Sequence, residues 1–196
     1  MITKPKVFII ESLTFKDEKE ELFEGQVLSK ILKFAMIESQ YYYVRTKREF
    51  EHVIGLFKKS NYRYLHISCH GNRNGISTTL DPIDFDELGL ILENVIDNKR
   101  LFISACSVMN RNLANSILSN TDCYSIVGPS KDIYMDDAVI FWAAFYQLMF
   151  KKNPSKMNRV SLEITIRKLV ETFEIPMKYY ATSENSSRGW SEINVR

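Results

Sequence analysis

The sequence predicts an α/β fold with a largely parallel sheet of about five to six strands and helices on both faces. Three observations carry that expectation. Apolar runs of strand length alternate with longer stretches of helical period. The runs around residues 6–12, 63–68, 100–105 and 123–128 are apolar almost throughout, as strands covered on both sides must be. Only seven glycines and five prolines punctuate 196 residues, so no low-complexity linker divides the chain.

Taken in order, "KVFIIES" (6–12) reads as the first strand. "ELFEGQVLSKILKFAMI" follows as a helix with Leu22, Val27, Leu28, Ile31, Leu32 and Ala35 on one face. "YYYVRT" (41–46) is a second strand, "KREFEHVIGLFKKS" a helix and "RYLHIS" (63–68) a third strand. "ISTTLDPI" predicts a short hairpin turning at Asp81-Pro82. "DFDELGLILENVI" is a helix capped by Asp84, and "RLFISA" (100–105) a fourth strand. "SVMNRNLANSILSN" gives the next helix and "CYSIVG" (123–128) the fifth strand. Two long helices, "DDAVIFWAAFYQLMFKK" and "MNRVSLEITIRKLVETF", precede a last strand, "MKYYAT". One domain over residues 1–180 is expected, and the polar stretch 181–196 reads as a mobile tail or a partner contact.

The composition narrows the function. A hydrophobic fraction of 45%, a charged fraction of 26% and a net charge of +2 describe an ordinary globule with no demand for nucleic acid. "AVIFWAAFYQLMF" falls short of the ~20 apolar residues a bilayer span requires, so no membrane partner is expected. The apolar run in "MITKPKVFIIES" is too short for a secretory signal, so none is expected, and Cys69, Cys106 and Cys123 form no disulfide framework. A cytoplasmic location with reduced thiols is the expectation.

Chemistry in an open α/β sheet belongs beyond the carboxyl ends of its strands. The third strand ends in "SCHG", where His70 and Gly71 open a loop; the fourth ends in "SACS", where Cys106 precedes a helix. If these strands are neighbours, His70 and Cys106 emerge side by side. A thiolate is a nucleophile, a helix N-terminus lowers a thiol's pKa, and a histidine can take its proton. The amides of Gly71 and Cys106 would then form an oxyanion hole.

"HISCHGN" followed by "LFISACS" resembles the caspase-like cysteine peptidases, and most closely the CHAT-type (caspase HetF-associated) branch. In that superfamily an apolar strand ends in His-Gly and the next core strand in a small residue followed by Cys. These map onto His70, Gly71 and Cys106. The separation of 36 positions (106 − 70) is shorter than the ~50 of caspases, whose longer cysteine motif is absent here. "CYSIVGPSKDIYMDDAVIFWAAFYQLMF" is similar to the branch's pattern of apolar strand, aspartate-bearing loop and aromatic-rich helix, so the resemblance spans roughly residues 5–150. It implies a three-layer caspase-like fold and a His-Cys dyad acting on protein or peptide substrates without a cofactor. It also implies an effector of bacterial defence or regulated death, gated by a sensor protein or ligand. Acidic residues beyond the strand after the cysteine bind a basic P1 side chain in several branches, which makes Asp132 and Asp136 candidates; Glu11, at the same sheet edge, is a third.

Other readings stay open. Asp136 and Asp137 also suit a helix N-terminus, and "DEKEE" (17–21) reads as a solvated helix start. His66 and Cys69 read as packing. Successive residues of a strand face opposite ways, so Cys69 and His70 do not build a zinc site with Cys106, and no metal is expected. The alternative to a protease is a catalytically inactive caspase-like binding or regulatory module. A nucleotide-binding domain is the weakest reading, since no glycine-rich phosphate loop follows any strand. Oligomeric state is not legible.

Overall fold

The computed structural model describes residues 4–195. Five strands run parallel: β1 (Lys4–Glu11), β2 (Ser39–Tyr43), β3 (Tyr62–Ser68), β7 (Arg100–Ser104) and β8 (Ser125–Pro129). Antiparallel β9 (Met177–Thr182) and β10 (Trp190–Ile193) extend one side, giving a seven-stranded sheet in the order β10-β9-β8-β7-β3-β1-β2. The sheet therefore has one or two strands more than expected. The hairpin expected near Asp81-Pro82 belongs to a second sheet, β4 (His70–Gly71), β5 (Gly75–Ser77) and β6 (Pro82–Asp84), which hangs off the end of β3.

Strand pleating sorts the core into two halves. Phe8, Leu65, Ile67, Leu101, Ile103 and Ile126 face α3 (Lys47–Ser60), α4 (Phe85–Leu92) and α5 (Arg111–Leu118). Val7, Ile9, Tyr64, Phe102 and Val127 face α2 (Glu24–Phe34), α6 (Met135–Lys152) and α7 (Arg159–Phe173). A short helix, α1 (Phe15–Lys19), lies between β1 and α2. Local chemistry fixes several boundaries. Thr46 and Glu49 form a reciprocal capping box at the start of α3. Asp84 caps α4 as expected, accepting from the Glu87 amide at 2.8 Å.

Two expectations change. The apolar face of α2 is narrower than the sequence pattern: Leu28 and Leu32 are buried, Val27 and Ile31 stay partly exposed, and Leu22 lies before the helix. The expected tail is partly folded, because β10 pairs with β9 from Trp190↔Thr182 to Ile193↔Tyr179. Among the described residues, no helix is long and apolar enough to cross a membrane.

Candidate active site

β3 and β7 are direct neighbours, parallel and in register from Tyr64↔Arg100 to Ser68↔Ser104. His70 and Cys106 each lie two positions beyond the last pair, so both leave the sheet at the same edge. The Cys69 amide donates to the Ser104 carbonyl at 3.0 Å, which carries the pairing up to the histidine. Gly71 is pressed against the cysteine turn: a Cβ there would lie 2.4 Å from Val108 Cγ1, 3.0 Å from Ala105 Cβ and 3.3 Å from the Cys106 carbonyl oxygen. Asn110 Nδ2 donates to the Arg73 carbonyl at 3.0 Å, tying the loop after Gly71 to the same turn.

The cysteine turn is held from the opposite side by the β8–α6 loop. Ser107, at φ 58°, takes the chain through the left-handed region. Its amide donates to the Lys131 carbonyl at 3.1 Å, and the Met109 amide donates to Pro129 at 3.1 Å. The Cys106 thiol lies 3.6 Å from the Ile133 carbonyl oxygen. Helix α5 begins only at Arg111, because the Asn110 side chain caps it, accepting from the amides of Asn112 and Leu113. The expected placement of Cys106 at a helix N-terminus is therefore corrected. The turn inserts four residues between Cys106 and the helix, and the dipole's effect is confined to the first turn.

The three cysteines are sharply differentiated. Burial pushes the thiols of Cys69 and Cys123 up to about 12, which keeps both protonated and unreactive at neutral pH. Cys69 packs against the α3–α5 side of the core, while Cys106 is half-buried at the surface turn. His66 is fully buried, shares a 3.1 Å hydrogen bond with the Tyr146 hydroxyl and meets Trp142 edge-on at 5.0 Å. Both are packing residues, as the sequence indicated.

His70 has a partner that the sequence pattern hid. Its Nε2 lies 2.7 Å from Asp17 Oδ2, on α1. The imidazole is 41% exposed and the carboxylate 15%. Partial burial works to raise the Asp17 carboxyl, but hydrogen bonds from Thr14 and His70 outweigh it and hold the group below the usual carboxylate range. Asp17 sits in the "DEKEE" run, 53 positions from His70, and nothing in a run of solvated charges singles it out.

The acidic candidates separate. Glu11 is fully buried: Oε1 accepts from the Gly25 amide at 2.6 Å, and Oε2 accepts from the Gln26 amide at 3.1 Å and the Tyr41 hydroxyl at 2.7 Å. It anchors the N-terminus of α2 inside the protein, which removes it as a substrate contact. Beside it, Glu24 Oε2 accepts from both Ser68 Oγ and Ser104 Oγ at 2.9 Å. One carboxylate thus clamps the two strands that carry His70 and Cys106. Asp132 is exposed and accepts from Ser107 Oγ at 2.7 Å, immediately beside the cysteine. Asp136 is exposed in the first turn of α6, where it accepts from the Asp137 amide at 3.0 Å.

No protein-family model matches the sequence, and no curated protein matches it. Solved structures do resemble the fold. A secreted C11 cysteine protease from Bacteroides thetaiotaomicron, iotapain, superposes with a TM-score of 0.54 at 11% identity, covering 92% of this chain and 67% of that one. The fold is caspase-like. A secreted C11 cysteine protease from the same organism, in complex with an irreversible peptide inhibitor, gives 0.52 at 10% identity, covering 90% of this chain and 65% of that one. The chain therefore spans about two thirds of the length of these proteases. At such identity the likeness is one of architecture alone.

Proposed function

We propose that this chain is a caspase-like cysteine endopeptidase with Cys106 as nucleophile and His70 as base and acid. The observation that carries this reading is the β3–β7 register, which delivers His70 and the partly exposed Cys106 to the same sheet edge. His70 takes the proton from the Cys106 thiol, and the thiolate attacks the scissile carbonyl carbon, forming a C–S bond as the C=O π pair moves onto oxygen. The amides of Gly71 and Cys106 stabilise that oxyanion; among the described residues the Cys106 N–H has no acceptor of its own. The imidazolium then gives its proton to the departing amine as the C–N bond breaks. Water, deprotonated by His70, attacks the thioester carbon; as the new C–O bond forms the C–S bond breaks, freeing the acid, and the Cys106 sulfur takes the proton back from His70.

Protein or peptide is the substrate class. Asp132, hydrogen-bonded to the residue after the nucleophile, is the acid we assign to a basic P1 side chain; Asp136 is engaged with the start of α6. The CHAT-type resemblance supports a gated effector, activated by a sensor protein or ligand within a bacterial defence or regulated-death system. No cofactor takes part in this scheme.

The test compares wild type with Cys106→Ala and His70→Ala on peptide libraries with Arg, Lys or Asp at P1. Loss of cleavage by about 10³-fold or more in both variants, with Arg or Lys preferred, is expected. Equal cleavage by wild type and Cys106→Ala removes this cysteine from the mechanism. An intact, unreactive Cys106 with no cleavage of any peptide instead marks an inactive caspase-like module.

A further inference from the structure

We propose that Asp17 is the positioning residue of this site, fixing His70 in the tautomer that carries its proton on Nε2. The inference rests on the protease reading and deepens it. A dyad needs a histidine whose nitrogen toward the thiol is free to accept. The 2.7 Å contact commits Nε2–H to a carboxylate, which leaves Nδ1 as the unprotonated nitrogen for the Cys106 proton. When Nδ1 gains that proton the ring becomes cationic beside Asp17, so the charge created in the step is offset where it forms.

The surroundings hold Asp17 for this task. Thr14 caps α1 and bonds to the same Asp17 oxygen that meets His70. The next residue, Glu18, is gripped by Arg45 through two bonds, 2.9 Å from Nε and 2.7 Å from Nη2, and by the Tyr43 hydroxyl. A five-residue helix with no buried residue of its own is thereby pinned to the end of β2 with one carboxylate turned to the imidazole. His70 keeps a large exposed fraction, so the partner adds orientation without closing the ring off from substrate.

The experiment compares wild type, Asp17→Asn, Asp17→Ala and Glu18→Gln by three readouts: steady-state peptide cleavage, the rate of iodoacetamide alkylation of Cys106, and ¹⁵N NMR of the His70 ring. The His70 signals are assigned by their loss in His70→Gln. Wild type is expected to show protonated Nε2 and unprotonated Nδ1. Both Asp17 variants are expected to lose that tautomer bias and about 100-fold in kcat with KM nearly unchanged, and to alkylate about tenfold more slowly at pH 7. Glu18→Gln loosens the grip that holds α1 with Asp17 turned to the imidazole, so it should lose part of the tautomer bias and part of kcat, less than either Asp17 variant.

An unchanged ring spectrum and alkylation rate in Asp17→Asn overturn the proposal, even if no peptide is found that wild type cleaves. Faster cleavage by Asp17→Ala than by wild type overturns it too, since Asp17 would then be a latch. Cleavage that survives Cys106→Ala fails the protease reading separately, because the ring spectrum does not depend on it.

Discussion

At the scale of single residues, the site turns on what Gly71 lacks. The loop that follows His70 and the turn that carries Cys106 touch where a Cβ would stand, with Val108, Ala105 and the Cys106 carbonyl as its neighbours. Val108 and Ala105 are buried, so neither moves away freely. Gly71→Ala must push the cysteine turn off the histidine loop. We expect a stability loss of about 1–3 kcal/mol, typical of overpacking. Peptide cleavage should fall further, by about 100-fold, because a shift of an ångström between reacting groups costs that much. Thermal denaturation beside cleavage assays at a temperature where the variant is folded measures both. Activity that falls only in step with the folded fraction would show that Gly71 serves packing alone. His70, Gly71 and Cys106 were legible in the sequence because each ends an apolar run with a residue that packing does not require. Asp17 was not, because a carboxylate bonded across 53 positions looks like its solvated neighbours until α1 meets His70.

At the scale of elements, α2 is fixed by a carboxyl group that would normally stay outside. Glu11 caps the helix from within the core, and burial pushes its carboxyl up to about 7, against the opposing pull of the Tyr41 and Gly25 bonds and with the nearby Glu24 adding to the rise. The ordinary value is 4.5, so folding favours the protonated form. That stabilisation is complete below about pH 4.5 and is lost as pH rises through about 7. Glu11→Gln does not titrate. Its stability relative to wild type should therefore improve by about 2 kcal/mol between pH 5 and pH 8. Urea denaturation at the two pH values reads the difference, and a gap independent of pH would refute the assignment. The sequence showed Glu11 at the end of a strand, at the edge where ligands bind. It could not show that Gly25 and Gln26 would bring two amides to it, since helix direction relative to a strand is a tertiary fact.

At the scale of the whole molecule, the α/β class was legible because strand and helix periods alternate cleanly, whereas sheet order and the last strand were not. Nothing local states that β3 and β7 are neighbours while β2 and β10 form the edges. The stretch holding β10 reads as a tail because its apolar content is carried by isolated residues in a polar run. Yet Trp190 is 3% exposed, meets Tyr180 edge-on at 5.2 Å and donates from Nε1 to Asn115 Oδ1 at 3.1 Å. Val195, also buried, joins the opposite half of the core, so this segment closes both layers. Trp190→Ala should cost about 3–5 kcal/mol and lower the melting temperature by about 10 °C. Three strands, β9, β8 and β7, separate β10 from β3, so kcat per folded molecule should be unchanged. Calorimetry with active-site titration tests both halves of that statement. A melting temperature within about 2 °C of wild type would mean that β10 adds nothing to the core, and a fall in kcat at full folding would mean that the far edge of the sheet is coupled to the dyad.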